Sequence, residues 1–196
     1  MQHSAYSSKF IPLAPTDEQT LLQEARAAIR ASAFQQEYRG ELPVHYSAAL
    51  QQPGAAFVTL LMGGDLRGCI GSLQVHQPLI KDVIHNAQSA AMRDPRFLPL
   101  IPDEVDKVHI EISVLGPLSP IHFTDEADLL RQIEPFKDGL VLEDGLYRGT
   151  FLPLVWEQLP DKLQFWQYLK RKAGLPADYW SKSLSVQRYH TYAFEE

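Results

Sequence analysis

The strongest constraint in this chain is a hairpin signal. Ala55 to Met62 is an almost continuous apolar run, Gly63-Gly64-Asp65 makes a tight turn, and Leu66 to Leu73 return as a second strand. Adjacent glycines supply the positive φ that such turns demand. A run this apolar predicts a strand buried on both faces. A hairpin is antiparallel by construction, so the chain is committed early to an antiparallel sheet. Residues 108–115 extend that reading, because Val108, Ile110, Ile112 and Val114 alternate with His109, Glu111 and Ser113. A second hairpin follows over Leu140–Glu143, a turn at Asp144-Gly145, and Leu146–Phe151, and a last strand is expected over about Val186–Phe194.

Helical signals fall between these strands. Thr16 with Gln19 three residues on reads as a capping box opening a helix. Leu21, Leu22, Ala25, Ala28 and Ile29 form its apolar stripe, Glu24 and Arg26 lie outside it, and the helix should fade by Arg39-Gly40. One further turn of helix is expected near Ser47–Leu50. Pro78 suits the first position of the next helix. Its buried stripe is Leu79, Val83, Ile84, Ala87, Ala90 and Ala91, with Asp82 elsewhere, and Pro95 stops it at Asp94. Thr124 can cap a short helix through Ile133, and Pro153–Leu159 a helical turn carrying Trp156. Asp161 can cap a longer helix through Lys172, which Gly174 and Pro176 end. Strands in hairpins, without regular β-α-β alternation, predict an α+β fold: a largely antiparallel sheet with flanking helices. Residues 1–15 read as a tail or arm, and 16–196 as a single domain. Arg67-Gly68 and Arg148-Gly149 occupy similar places in the two hairpins, an echo too short to count as a repeat.

Composition narrows the function classes. The net charge is -6 over 196 residues, with basic side chains scattered apart from Lys170-Arg171-Lys172. That cluster suits a helix C-terminus, so no nucleic acid partner is expected. No run approaches a membrane span and the first 15 residues resemble no targeting segment, so the expectation is a cytoplasmic protein without a membrane partner. Its single cysteine excludes an internal disulfide.

That cysteine lies in Leu66-Arg67-Gly68-Cys69-Ile70-Gly71. Strand alternation puts Arg67, Cys69 and Gly71 on one face and Leu66, Gly68 and Ile70 on the other. On this register Arg67 adjoins the thiol and favours its thiolate. Gly71 would leave room beside the sulfur, and Gly68 would mark a bulge. The competing reading is a small buried hydrophobe. A nucleophile needs a base; His76, His85 and His109 are available, and no spacing selects among them. Asp94 and Arg96 flank Pro95. They read either as a helix stop with a local ion pair, or as Arg96 taking a carboxylate or phosphate while Asp94 holds it. Glu111, amid an apolar strand, needs a partner such as Arg67 or Arg96. His109 and Glu111 would supply two metal ligands without a matching third, so no metal or cofactor is expected. The candidates are therefore Cys69, Asp94 and Glu111 for catalysis, and Arg67, Gly68, Gly71 and Arg96 for binding an anionic small molecule.

The hairpin from Gly54 to Leu73 with its Leu-Arg-Gly-Cys-Ile-Gly motif resembles the signature of the AMMECR-type domain family, whose microbial members are called AmmeMemoRadiSam system protein A. Further blocks resemble the family in order: Asp94-Pro95-Arg96-Phe97-Leu98-Pro99-Leu100, Glu111–Leu115, Asp138–Leu142 with Gly149–Pro153, and Lys172–Pro176. The resemblance spans residues 16–196. It implies a larger and a smaller lobe around a cleft, and association with a Memo-type protein and a radical SAM protein. It implies no established reaction. Two positions depart from the family pattern: Leu154 stands where glutamine is common, and Lys170 where a second cysteine is common. A two-thiol mechanism is disfavoured here. What remains is an enzyme acting on an anionic substrate around Cys69, or a non-catalytic module binding a ligand or partner.

Overall fold

A computed structural model describes residues 13–40 and 43–196. Of the expected tail, residues 1–12 lie outside the described residues, and Pro15 already belongs to the first helix. The chain divides into two compact units. One comprises residues 13–115 with 192–196 among the described residues, the other 116–191.

The first unit holds helices α1 (Pro15–Ala33), α2 (Ala48–Gln51) and α3 (Leu79–Met92). Strands β1 (Pro53–Gly54) and β4 (Gln77–Pro78) form a short antiparallel pair. Strands β2 (Ala56–Met62), β3 (Asp65–Gly71) and β5 (Val108–Leu115) join β10 (Thr191–Glu195) in a four-stranded sheet of order β10-β5-β2-β3. The β2–β3 and β2–β5 pairings are antiparallel. The hairpin turns through Gly63 and Gly64, both with positive φ, as the sequence requires. Helix α3 packs on β2 and β3, and α1 packs on α3. Ala56, Val58 and Leu60 face that apolar layer fully buried, whereas Phe57 and Leu61 are only partly covered. The strand is thus buried on one face and half-covered on the other, not buried on both.

The second unit holds α4 (Glu126–Gln132), α5 (Lys162–Lys172) and a sheet of order β6-β9-β7-β8. Its strands are β6 (Ser119–Pro120), β7 (Gly139–Asp144), β8 (Tyr147–Phe151) and β9 (Ser185–Tyr189), with antiparallel pairings throughout. Its core gathers Leu129, Leu140, Leu142, Phe165, Leu169 and Val186. Trp156 stacks on Phe165 with ring centroids 3.6 Å apart, and its indole N–H donates to Asp138 O at 2.8 Å. Asp161 caps α5 and Trp156 lies in a short 3-10 turn, both as expected.

Helices, strands and antiparallel pairing agree with the α+β expectation, and several boundaries differ for physical reasons. Helix α1 opens at Pro15, with no side-chain cap from Thr16, because proline at the first position needs no hydrogen-bond partner and has its φ preset. It ends at Ala33, well before Arg39. Gln35 turns to φ 57, and the N–H groups of Gln35 and Gln36 reach back to Ser32 O and Ala31 O. Pro78 is the N-cap of α3 and not its first residue, and the helix stops at Met92. Asp125, not Thr124, caps α4, accepting from Asp128 N at 2.7 Å. The last strand is two, β9 and β10, in different sheets. They part at His190, whose carbonyl accepts from Gly116 N at 2.8 Å.

Charged residues expected outside the stripes are also drawn in. Glu24 is buried and accepts from Tyr38 Oη at 2.7 Å. Arg26 donates to Val108 O at 2.7 Å, tying α1 to β5. Asp82 of α3 is fully buried. It accepts from Ala56 N at 2.9 Å, Ser72 Oγ at 2.7 Å and Gln77 Nε2 at 3.1 Å. Asn86, one turn on, donates to Asp82 at 2.9 Å and to Ala56 O at 3.0 Å. This polar pair pins α3 to the start of β2, and it satisfies backbone groups that burial would otherwise penalise.

Candidate functional site around Cys69

Cys69 sits on β3, the edge strand of its sheet. Across the sheet it pairs with Thr59 of β2, which pairs in turn with Glu111 of β5. Thr59 is the one polar side chain in β2, and its hydroxyl donates to Cys69 Sγ at 3.4 Å. The strand alternation that turns Gly68 toward α3 leaves Cys69, Thr59 and Glu111 as a row on the other face. Ser113 Oγ lies 3.5 Å from Glu111 Oε1.

The register slips once, between the Leu61–Leu66 and Leu60–Gly68 pairs. The extra residue is Arg67, so the bulge falls there and not at Gly68. A bulge re-aims its side chain. The Arg67 guanidinium leaves the thiol and meets Glu104 at 2.8 and 3.3 Å and Leu98 O at 3.0 Å. The Arg67 hydrogen bond holds the Glu104 carboxyl below the ordinary carboxylate value. Arg67 therefore fastens the 98–104 segment to the sheet edge. The expectation that it adjoins the sulfur and promotes the thiolate is corrected.

Arg96 takes that position. Asp94, almost wholly buried, accepts from Arg96 Nη2 at 2.7 Å, Arg96 Nε at 3.0 Å and Arg96 N at 3.1 Å. It also accepts from Cys69 N at 2.8 Å, and Arg96 Nη2 reaches back to Cys69 O at 3.4 Å. An edge strand exposes alternate backbone groups. Here Asp94 and Arg96 bind both outward groups of Cys69 and close the edge at that residue. Arg96 keeps the Asp94 carboxyl down at about 2, helped by the Cys69 and Arg96 amides. Asp94 is a carboxylate at neutral pH and fits an orienting role, not proton exchange. The Arg96 side chain is 53% exposed.

Burial pushes the Cys69 thiol above its ordinary value, over the opposing pull of the Thr59 hydroxyl and of Arg96. Asp94 and Glu111 push in the same direction as burial. Cys69 is thus a neutral thiol at physiological pH. His76 Nδ1 turns to Gln74 O at 2.8 Å, His109 Nε2 to Glu195 at 3.0 Å, and His85 is exposed.

The two glycines have packing reasons. A Cβ on Gly68 would lie 2.3 Å from Ala90 O, so its absence lets α3 approach β3. A Cβ on Gly71 would lie 2.2 Å from Phe57 Cγ, so the Phe57 ring already fills the space expected beside the sulfur. Among the described residues, no group of three or more His, Cys, Asp or Glu is arranged to hold a metal, and no helix is long and apolar enough to cross a membrane. The two departures from the family pattern fall in the second unit. Leu154 is half exposed. Lys170 is buried, with Nζ donating to Glu126 Oε1 at 2.6 Å and Tyr179 O at 3.2 Å.

Of the residues the sequence singles out, Cys69, Asp94 and Arg96 are joined by hydrogen bonds in the first unit, and Glu111 lies in the cross-strand row that runs through Thr59 to Cys69. Thr59 and Glu104 join them in the structure without having been singled out by the sequence pattern. Thr59 was detectable as a lone hydroxyl in an apolar strand on the parity that faces Cys69. Glu104 carries no such signal, because its partner is fixed by the bulge.

Comparison with known proteins agrees with this architecture. The AMMECR1 family model matches residues 22–194. A protein of Methanothermobacter thermautotrophicus is 37% identical over 194 residues, 96% of this chain and 98% of that protein. Protein MJ0810 of Methanocaldococcus jannaschii is 36% identical over 155 residues, 77% of each chain. The crystal structure of uncharacterized protein PH0010 from Pyrococcus horikoshii superposes with a TM-score of 0.85 at 33% identity, covering 94% of this chain and 93% of that one. A match across nearly the whole chain, in sequence and in fold, shows that it belongs to the AMMECR1 family.

Proposed function

We propose that this chain binds a small anionic molecule beside Cys69, with Arg96 as the anchor for its carboxylate or phosphate group. One observation carries the reading: a buried Asp94 grips the Arg96 guanidinium by two nitrogens, while half of that side chain stays open to solvent. A guanidinium held in this way is preorganised to meet an oxyanion. Thr59 contributes a hydroxyl and Cys69 a small neutral thiol, with Glu111 beyond Thr59 in the same cross-strand row. The test is a titration with inorganic phosphate and with succinate, followed on the backbone amide NMR signals of Cys69 and of residue 96, which both donate to Asp94. Saturable shifts are expected, weakened about tenfold or more in Arg96→Gln. Unchanged affinity in that variant would remove Arg96 from the site.

A catalytic reading, with Cys69 as nucleophile or acid-base group, draws on the Thr59 hydroxyl, which donates to sulfur and favours the thiolate. The rate of iodoacetamide alkylation against pH separates the two readings, since only the thiolate reacts. The binding module predicts an inflection above the ordinary thiol value. An inflection below it would favour the enzyme. Association with a Memo-type protein and a radical SAM protein belongs to the same proposal. Its support is the resemblance of the motif blocks, and co-elution of the purified proteins tests it.

A further inference from the structure

A concavity lies in the other unit, far along the sequence from Cys69. We infer that the concavity lined by the Phe123–Trp180 ring pair binds a small planar anion, its ring on Trp180 and its charge on Lys182. The cavity measures about 460 Å³, within the range of small-molecule sites. Ile121 and Leu184, both buried core residues, form its apolar floor. The Phe123 and Trp180 rings both line it and pack on each other, with centroids 5.6 Å apart and planes tilted by 58°. His122 and Lys182, both exposed, line it as well.

Three features favour a ligand over an incidental dent. Trp180 is the most exposed of the three tryptophans, at 38%, whereas Trp156 and Trp166 are fully buried. Those two indole N–H groups are spent, on Asp138 O and Glu126 Oε1, but Trp180 Nε1 donates to no described residue. Indole rings usually bury their face and pair their N–H. Second, Lys182 forms no ion pair with a described residue, so its ammonium is available to a ligand oxyanion. Third, acids of the neighbouring α4 are engaged. Asp125 caps that helix, and Asp128 accepts from Thr124 N at 3.0 Å and Arg131 at 3.1 Å. An aromatic face, an indole donor and a free ammonium on one apolar floor select a flat ring carrying a carboxylate or phosphate. The ring alone would lack the charge contact, and a bare inorganic anion would leave the rings uncovered.

Intrinsic tryptophan fluorescence of the full chain tests this, because Trp180 is the indole open to quenching. AMP represents a nucleotide and 1-naphthoate an aromatic carboxylate; adenosine and inorganic phosphate are the half-ligands. Saturable quenching by at least one planar anion is expected, at about tenfold lower concentration than either half-ligand requires. Whichever planar anion binds identifies the source. Lys182→Gln keeps the fluorophore and should weaken binding about tenfold. Trp180→Leu should abolish heat of binding in calorimetry while its far-ultraviolet circular dichroism matches the parent. No saturable response from either planar anion up to about 10 mM would overturn the site. So would binding that Lys182→Gln and Trp180→Leu leave unchanged.

Discussion

At the scale of single residues, Asp94 is the informative one. Its carboxylate receives two nitrogens of the Arg96 side chain and the amides of Cys69 and Arg96. Its folded pKa of about 2 lies below the ordinary value of 3.8. A depressed carboxyl contributes stability that is fully present above the unfolded pKa and is lost as pH falls through the folded one. The window is therefore about pH 4 down to pH 2. Arg96 is half exposed, and screening there trims the contribution to about 1–2 kcal/mol. Asp94→Asn should flatten the acid limb of a stability-against-pH curve by that amount, measured by urea unfolding at fixed ionic strength. It should also free Arg96, so phosphate affinity falls together with the acid limb. A variant that loses the acid limb but keeps phosphate affinity would separate the edge closure from the anion site. The sequence shows Asp94 and Arg96 flanking a proline. It does not show that their shared target is the backbone of Cys69, since that depends on which peptide groups an edge strand leaves unpaired.

At the scale of elements, the same helix ending appears twice and was readable once. Helix α5 ends around Gly174 at φ 86, with Leu175 N donating to Lys170 O and Gly174 N to Arg171 O. Helix α1 ends the same way around Gln35 at φ 57. Glycine advertises the left-handed position; glutamine does not, so the sequence pattern predicts a helix six residues longer than α1. Strand β5 was fully legible because its alternation is complete, with each even residue buried. Asp82 was not, because a charged residue on an apolar helix face reads as solvated until its partners are known. Its weight can be measured. Asp82→Ala takes the acceptor from Ala56 N and Asn86 Nδ2 in a buried setting and from the partly buried Ser72 Oγ and Gln77 Nε2, and should cost about 2–4 kcal/mol in chemical denaturation. Hydrogen exchange should locate the loss at the start of β2 and the first turns of α3. Asp82→Asn keeps an acceptor oxygen and should cost less than Asp82→Ala. Equal losses would mean that the charge, and not the hydrogen bonds, does the pinning.

At the scale of the whole molecule, the two units use one device. Each sheet ends in a hairpin whose outer strand, β3 or β8, carries an Arg-Gly pair. In each the glycine faces a helix: Gly68 meets α3 at Ala90, and Gly149 meets α5 at Leu169 and at its C-cap residue Ala173. In each a further glycine is covered by a cross-strand ring, Gly71 by Phe57 and Gly139 by Tyr189. The short Arg-Gly echo in the sequence therefore marks a repeated packing solution, though the arginines diverge. Arg67 goes to Glu104 across a bulge, and Arg148 to Glu143 across the ladder at 2.9 Å. Neither Gly68 nor Gly149 has a positive φ, so alanine at either tests helix approach without backbone strain. At Gly68 the new Cβ would lie 2.3 Å from a backbone oxygen of α3. The helix must move, and Gly68→Ala should cost about 2–4 kcal/mol. At Gly149 the nearest atoms are at 3.0 Å, the Cβ and N of Ala173. A shift of a few tenths of an ångström suffices there, and the entropy alanine removes from the unfolded chain offsets about 0.4–1 kcal/mol. Gly149→Ala should therefore cost about 1 kcal/mol or less. Denaturation with hydrogen exchange should assign the first loss to α3 and β3 and the second to α5 and β8. A Gly149→Ala loss as large as that of Gly68→Ala would show that α5 is the less yielding helix, and that the tightness of a strand–helix contact does not set its tolerance in this fold.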